Sequence, residues 1–233
     1  NLGHNSNKVV KLDGEQTQIV SGTQIHKVGS SYRTFYVQEF AGINPETGNP
    51  LFYTNELDEN GNYIKEITEN SKNAQFIPYK HAEPTVNGGI SNSLRYKWLD
   101  LNFLFSYQFG GYSYDTWAQK TEHGGYDSYA NIPTYYRDSW KKPGDQTNIE
   151  VYMLGKSSSV SMHKITSSRR IHSTDYFRLK NITFGITLPK EWTNKINIGN
   201  VRFYASASNL WTWAAYDNYC LLYTSDAADD SLR

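Results

Sequence analysis

The sequence contains a single cysteine, Cys220, among 233 residues. A lone cysteine excludes an internal disulfide and a metal site of the CxxC type. No run of 18 apolar residues is present, so the sequence predicts no transmembrane helix, although membrane-spanning strands would carry a weaker signal. The formal net charge is zero, so no broad basic surface indicates nucleic acid as a partner.

The composition is also low in hydrophobic residues and high in aromatic ones. Hydrophobic residues make up 38% of the chain and mean hydropathy is −0.68, yet aromatics reach 15%, with 19 Tyr and 6 Trp. Tyr and Trp suit surfaces at which one end of the side chain is apolar and the other is wet. This composition fits a membrane interface, a sugar-binding surface or a loop-rich β-sandwich.

Two adjacent segments alternate between apolar and polar residues, which is typical of a strand with two different faces. In Leu99–Phe109 the odd positions are apolar and the even positions are polar, except at Leu104. In Val86–Trp98 the even positions hold the apolar side chains, with Asn92 as an exception. Because the phase changes between them, the segments 85–98 and 99–111 are predicted to form a hairpin.

A second pair of alternating segments lies at 176–188 and 201–213, separated by Pro189 and a turn. Weaker strands are predicted at about 8–12 and 32–40, with a short hairpin formed by 51–54 and 63–68. In the long hairpins the apolar face is bulky and the opposite face carries Arg, Lys, Asn and Asp. The residues predicted to face lipid are Leu101, Phe103, Phe105, Tyr107, Ile182, Phe184, Ile186, Val201 and Phe203.

Strand length and connector length distinguish a membrane barrel from a soluble one, whereas alternation alone does not. The long strands run for about 11–14 residues, compared with about 5–6 in soluble proteins and about 9–11 in tilted membrane strands. The connection at 96–100 is tight, whereas that from 111 to 174 covers roughly 60 residues, which is unusual in a compact soluble domain. The predicted fold is all-β, with antiparallel strands forming part of a large transmembrane β-barrel with long extracellular loops.

Tryptophans occur at both ends of the predicted strands. Trp98 and Trp192 lie at the shorter turns, while Trp211 and Trp213 lie at the far end of the last strand. Barrels in the outer membrane carry aromatic residues at both membrane surfaces. The placement therefore agrees with two aromatic girdles.

The last segment, 220–233, differs from the rest of the chain. Its residues from Cys220 to Asp229 resemble the translation of a sequencing-library adapter. We expect residues 220–233 to be read-through, with a natural acidic tail as the alternative, and residues 1–219 to be the protein segment. Adapter-derived residues are excluded from the fold prediction.

Six motifs, in order along residues 5–213, resemble the C-terminal region of SusC/RagA-type TonB-dependent outer-membrane transporters. The most specific is Arg178-Leu-Lys-Asn-Ile-Thr183, and single elements such as Pro-Gly-Asp are weak on their own. The segments that carry the resemblance are Asn5–Leu12, Ala41–Pro50, Pro84–Leu101, Arg137–Asp145, Asp175–Pro189 and Val201–Trp213. This family has a further strand and a terminal aromatic residue, which are not found here, so we expect the segment to be a truncated barrel.

The resemblance implies a barrel of about 22 strands with an N-terminal plug. It further implies a SusD-like surface lipoprotein as a lid, energy from the TonB complex, and import of glycan oligosaccharides or sometimes peptides. The implied location is the outer membrane, in contact with its lipid, of a Gram-negative bacterium resembling the Bacteroidetes.

No catalytic arrangement is apparent, so the chain is predicted not to be an enzyme and to use no cofactor or metal. The histidines lack paired ligand spacing, and no nucleophile, base and oxyanion motif is present. A secreted β-sandwich, either a carbohydrate-binding module or a glycoside hydrolase, remains the alternative. The aromatic residues of the long loop are candidates for contact with substrate or with the lid, or else pack the loop on itself; they are Trp117, Tyr126, Tyr129, Tyr135, Tyr136 and Trp140.

Overall fold

The structure, a computed structural model, describes residues 1–126, 131–155, 161–162 and 164–216. The strands in chain order are β1 (Leu2–His4), β2 (Gln18–Ser21), β3 (Gln24–Lys27), β4 (Thr34–Gln38), β5 (Phe40–Ile43), β6 (Pro50–Tyr53), β7 (Ile67–Thr68), β8 (Phe76–His81), β9 (Val86–Tyr96), β10 (Leu99–Phe109), β11 (Tyr112–Tyr114), β12 (Ile171–Ser173), β13 (Tyr176–Thr187) and β14 (Arg202–Ala214). Two short helices, α1 (Thr116–Thr121) and α2 (Lys190–Thr193), accompany them.

The described chain divides into two compact units. The sheet unit contains residues 1–6, 83–111 and 173–216, and the loop unit contains residues 7–82 and the described residues of 112–172. The sheet unit holds one antiparallel sheet of five strands in the order β1-β9-β10-β13-β14. Its four long strands have 11, 11, 12 and 13 residues, which confirms the predicted long hairpins.

The connections differ sharply between the two ends of this sheet. At one end, Lys97 and Trp98 alone join β9 to β10, with Lys97 at a positive φ of 53°. At the same end, α2 and a single 3-10 turn (Asn194–Ile196) occupy the connection from β13 to β14. From the other end the chain leaves after β1 and again after β10, and these two excursions form the loop unit.

The loop unit is a folded structure, so the long connection after Gly111 is not structureless. It contains a four-stranded sheet ordered β2-β3-β4-β8 and a three-stranded sheet ordered β5-β6-β7. Its main apolar cluster consists of Phe52, Ala74, Met162 and Ile165, with Phe40 packed against it. Because this cluster joins both excursions of the chain, neither segment supplies the core alone.

Two of the weaker strand predictions are wrong in detail. Lys8–Leu12 is not a strand, because only Val9 makes backbone hydrogen bonds across to Gly29 and Ser30. The predicted strand at 32–40 is divided into β4 and β5, which belong to different sheets. The short hairpin is confirmed, since β6 pairs with β7 and Leu57 bridges to Tyr63 around the turn.

Candidate functional site

The long sheet has one apolar face, and eight of the nine residues predicted to face lipid lie on it. Residues paired directly across an antiparallel sheet share a face. The register pairs Leu101 with Phe184, Phe103 with Ile182, and Ile186 with Phe203. Val201 immediately precedes β14, where its carbonyl accepts a backbone hydrogen bond from Leu188. Phe105 and Tyr107 continue the same face toward the loop end of the sheet.

A β-bulge at Lys180 extends the apolar face beyond the alternating residues of β13. Because the register shifts there, Leu179 pairs with Phe105 and Phe177 pairs with Tyr107. An extra residue in one strand reverses which of its positions face a given side. The ring of Phe177 consequently stacks on Phe105 at 5.0 Å and meets Trp211 edge-on at 6.2 Å.

The opposite face of the sheet carries a ladder of polar side chains. Arg202 Nη2 donates to Asp100 Oδ2 at 2.6 Å, and Arg202 Nε donates to Asp100 Oδ1 at 3.3 Å. Gly185 lies between them on β13, and a Cβ there would stand 2.5 Å from Asp100 Oδ1. Further along, the hydroxyls of Thr183 and Ser206 are 2.9 Å apart. This face offers hydroxyl, amide and charged groups along its length, as a water-filled lumen requires.

The candidate aromatic residues of the long loop have different environments. Trp117, on helix α1, is 61% exposed, and Tyr126 is partly exposed with Lys164 Nζ 5.0 Å from its ring centroid. Tyr136 is only 4% exposed. Tyr129 lies outside the described residues. Of the described candidates, Trp117 and Tyr126 present the most ring surface to solvent.

Tyr136 lies in the interior of the loop unit, and the half-buried Tyr135 packs beside it. Their ring centroids are 5.8 Å apart, and the Tyr135 hydroxyl donates to Glu122 Oε1 at 2.5 Å. The same carboxylate accepts from Arg170 Nη1 at 2.9 Å, and Arg170 is almost fully buried. Burial, followed by the nearby carboxylates Glu150 and Glu122, raises the pKa of Tyr136 above its usual range. The tyrosine therefore remains protonated, and these contacts favour a packing role for the pair.

Trp140, in the motif Arg137–Asp145, contacts residues of the motif Ala41–Pro50. Its Nε1 donates to the Pro45 carbonyl at 2.7 Å, and the Gly144 backbone N–H donates to the same carbonyl at 2.9 Å. A Cβ on Gly48 would come within 2.6 Å of the Trp140 ring, and Gly48 has a positive φ of 71°. The Trp140 ring thus covers the turn at 44–49, which favours internal packing over sugar stacking.

Glu69, which directly follows β7, binds the same turn at 44–49 through its side chain. It accepts hydrogen bonds from Asn44 Nδ2 at 2.5 Å, Thr47 Oγ1 at 2.8 Å and Asn49 Nδ2 at 3.0 Å. Partial burial opposes ionisation, but the hydrogen bonds from Asn49, Thr47 and Asn44 outweigh it and lower the pKa of Glu69. The carboxylate is therefore charged at neutral pH and stabilises the turn.

Sequence reasoning missed the groups that organise both units. Asp100 and Arg202 are 102 positions apart, and Glu122 and Arg170 are 48 apart. The sequence does not indicate that these charged residues pair with one another, because the partners are too far apart along the chain for any local spacing to connect them. The one available signal was the glycine at 185, which interrupts a run of larger residues on β13.

Within the described ranges, no three His, Cys, Asp or Glu side chains are grouped so as to hold a metal ion. Over the same residues, no helix has the length and apolar character needed to cross a membrane.

Comparison with known proteins gives consistent relatives, although no protein-family model matches the sequence. The chain is 28% identical over 230 residues to the TonB-dependent receptor P3 of Formosa agariphila, covering 93% of this chain and 22% of that protein. It is 27% identical over 133 residues to the TonB-dependent receptor P39 of the same organism, covering 57% of this chain and 12% of that protein.

A solved structure of the RagAB peptide transporter superposes with a TM-score of 0.73 at 26% identity. The match covers 92% of this chain and 23% of that chain. A second structure, of the RagAB peptide importer in its closed-closed state, superposes with a TM-score of 0.75 at 24% identity and supports the fold. The chain therefore spans less than a quarter of the length of these relatives.

The antiparallel sheet with one apolar and one polar face, together with these neighbours, defines the chain as part of an outer-membrane β-barrel. The resemblance found in the sequence is confirmed: the chain is similar to a segment of SusC/RagA-type TonB-dependent transporters.

Proposed function

We propose that this segment supplies late strands and outer loops to a TonB-dependent importer of oligosaccharides or peptides. In this proposal, a SusD-like lipoprotein covers the outer loops, and the TonB complex supplies the energy from regions outside the segment. The host is a Gram-negative bacterium resembling the Bacteroidetes. The barrel performs no chemistry on its cargo, and the segment is not part of an enzyme.

The observation that carries this proposal is the uncovered apolar face of the long sheet. Phe184 is 44% exposed although its strand, β13, is paired on both sides, and Phe203 on the edge strand β14 is 61% exposed. Exposed apolar surface of this extent marks a contact with another apolar phase or partner. Lipid is the phase that a barrel strand of this length meets.

A secreted β-sandwich is the second candidate, and the same observation argues against it. A sandwich covers the apolar face of one sheet with the apolar face of another. In the described part of the sheet unit there is a single sheet, and its apolar face is not packed against a second one. Its strands are also about twice the usual length for a soluble sheet.

Cysteine labelling of the full-length transporter tests the orientation of the sheet. Phe103→Cys and Asn102→Cys are introduced singly into a cysteine-free background, because these neighbours lie on opposite faces of β10. We expect a fluorophore at 103 to be quenched by brominated lipid, and a cysteine at 102 to react with a charged aqueous thiol reagent. Equal responses at the two positions, or the reverse pattern, would contradict the proposed membrane orientation.

Uptake measurements test the role of the outer loop. Deleting residues of about 115–170 should reduce uptake while leaving insertion intact, but it would also remove Trp140 from its turn. Trp117→Ala is a sharper change, since Trp117 is exposed and its removal leaves the packed core in place. Undiminished uptake and lid binding by Trp117→Ala would count against a contact role for this residue.

A further inference from the structure

A groove in the loop unit lies between one face of the four-stranded sheet and the hairpin at 54–66. Its volume is about 450 Å³, within the range of about 300–1,000 Å³ that is typical of ligand pockets. Ile25 and Asn55, both fully buried, lie at its base. Tyr36 on β4 and Pro78 on β8 are paired in register, so they present the same face of the sheet to the groove.

Aromatic rings line the groove from both the sheet and the hairpin. Tyr36 and Phe76 have ring centroids 5.4 Å apart, and Tyr63 contributes a partly exposed ring from the hairpin. Flat apolar rings match the C–H faces of pyranose sugars, while the phenol hydroxyl of a tyrosine remains available for hydrogen bonding. The groove therefore combines stacking surfaces with polar rims.

Side-chain amides supply hydrogen-bonding groups around these rings. The side chains of Gln18 and Gln75 line the groove and are exposed to solvent. Asn55 Nδ2 donates to Glu39 Oε2 at 3.2 Å, which fixes the orientation of the amide. Asn55 Oδ1 is then buried with no donor from the described part of the chain. The Asn55 side chain therefore forms part of the closed floor of the groove, and the exposed amides of Gln18 and Gln75 are the ones within reach of a ligand.

The charge of the groove is balanced. Lys27 and Glu56 are the charged residues that line it, so the lining has no net formal charge. An acidic sugar or a charged peptide would require an excess of the opposite charge, whereas a neutral polyhydroxyl ligand would not. Amide groups both donate to and accept from hydroxyl groups.

We propose that this groove binds a neutral oligosaccharide, with one sugar ring against the aromatic side chains and its hydroxyls bonded to the amides. The inference rests on the proposed function as an importer, and it selects neutral glycans from the substrate classes left open there. The groove is distinct from the aromatic residues between 117 and 140, which lie in the other excursion of the chain.

The test applies the full-length transporter in detergent to an array of neutral and acidic oligosaccharides and to a peptide array. The strongest neutral binder is then titrated by calorimetry into the parent protein and its variants. We expect Tyr63→Ala to weaken binding by about tenfold or more, and Tyr63→Phe to retain most of the affinity because it keeps the ring. Tyr79→Ala is the matched control, since Tyr79 is a similarly exposed tyrosine that does not line the groove.

Three outcomes would overturn the proposal: binding only of acidic glycans or peptides, no binding of any neutral glycan, or equal affinities for Tyr63→Ala and Tyr79→Ala. Cysteine labelling at 102 and 103 separates this failure from failure of the transporter assignment. If position 103 is quenched by lipid and position 102 reacts with the aqueous reagent, but Tyr63→Ala binds glycan normally, the groove assignment is wrong and the importer proposal is retained. If positions 102 and 103 respond alike, the importer proposal is wrong whichever glycans bind.

Discussion

Arg202 forms a two-hydrogen-bond ion pair with Asp100 by reaching over Gly185, on the strand between them. Asp100 begins the polar face of β10, and Arg202 begins that of β14. The ion pair therefore ties together two strands that do not share backbone hydrogen bonds. It lies at the short-turn end of the sheet, close to where α2 connects β13 to β14.

The ion pair between Asp100 and Arg202 requires a residue without a side chain at position 185. Gly185→Ala places a Cβ within 2.6 Å of both Asp100 and Arg202, so the two side chains must separate. We expect a small loss in unfolding free energy, because the two flexible side-chain ends must move apart and the solvent-exposed ion pair is lost. Urea unfolding of the full-length transporter in lipid vesicles measures the loss.

Gly199→Ala is the control for this measurement, because no atom lies within 4 Å of its added Cβ. If the two alanine variants have the same unfolding free energy, the ion pair over Gly185 does not stabilise the sheet.

Two single arginine substitutions on β10 compare the energetic cost of a charge on the two faces of the sheet. Phe103→Arg places a charge at the middle of the apolar face, and Asn102→Arg places the same charge on the polar face. We expect Phe103→Arg to cost about 2–4 kcal/mol in a bilayer, the range for arginine at the midplane of a barrel, and Asn102→Arg to cost much less. Equal losses in vesicle unfolding would mean that the two faces meet the same solvent.

The contact of Trp140 with Gly48 predicts a local defect in the loop unit. Gly48→Ala brings a methyl group within 2.6 Å of the Trp140 ring at a positive φ, whereas Gly144→Ala has a positive φ of 92° and open space. The backbone cost of about 1 kcal/mol is common to both variants, and the overlap adds about 1–3 kcal/mol for Gly48→Ala. Trypsin should therefore cleave after Lys141 faster in Gly48→Ala than in Gly144→Ala; the next lysine, Lys142, precedes Pro143 and is resistant to trypsin.

Similar cleavage rates in these two variants would indicate that Trp140 does not hold the turn. The membrane-inserted fraction serves as the internal reference, since both changes lie in the loop unit.

The turn held by Glu69 should weaken in acid. Its pKa is lowered in the folded state, so its contribution to stability is complete above the ordinary glutamate pKa of about 4.3 and is lost as pH falls through the lowered value. The fluorescence of Trp140, which bonds to the same turn, should change in that range when the parent protein is compared with a Trp140→Phe variant. Glu69→Gln should abolish the pH dependence, and its persistence in that variant would assign the change to another group.

Alternation in the sequence was sufficient to predict β9, β10, β13 and β14, because each strand carries mainly apolar side chains on one face and mainly polar side chains on the other. The same rule was insufficient near Lys180. There the bulge moves Phe177 and Leu179 onto the apolar face, although they are out of phase with Ile182. A bulge depends on how three strands adjust to one another, and the residues of one strand do not encode that adjustment.

The aromatic loop shows a different limit of the sequence. The sequence did not distinguish the roles of the six candidate aromatic residues. In the structure, however, Tyr136 is buried, Trp140 covers a turn and Trp117 is exposed. Tyrosine and tryptophan serve as core, turn cover or binding surface with the same chemistry. Only contacts with distant residues, such as Gly48 and Glu122, separate these roles.

The sequence by itself determined the strand lengths, the two chemically different faces and the unequal connections, because these depend on neighbouring residues along one strand. The tertiary structure decided which charges pair across Gly185, which rings are covered, and that the sheet and hairpin enclose a groove beside Asn55. These features depend on register and on packing between segments far apart in the chain, so they arise only when the strands are assembled.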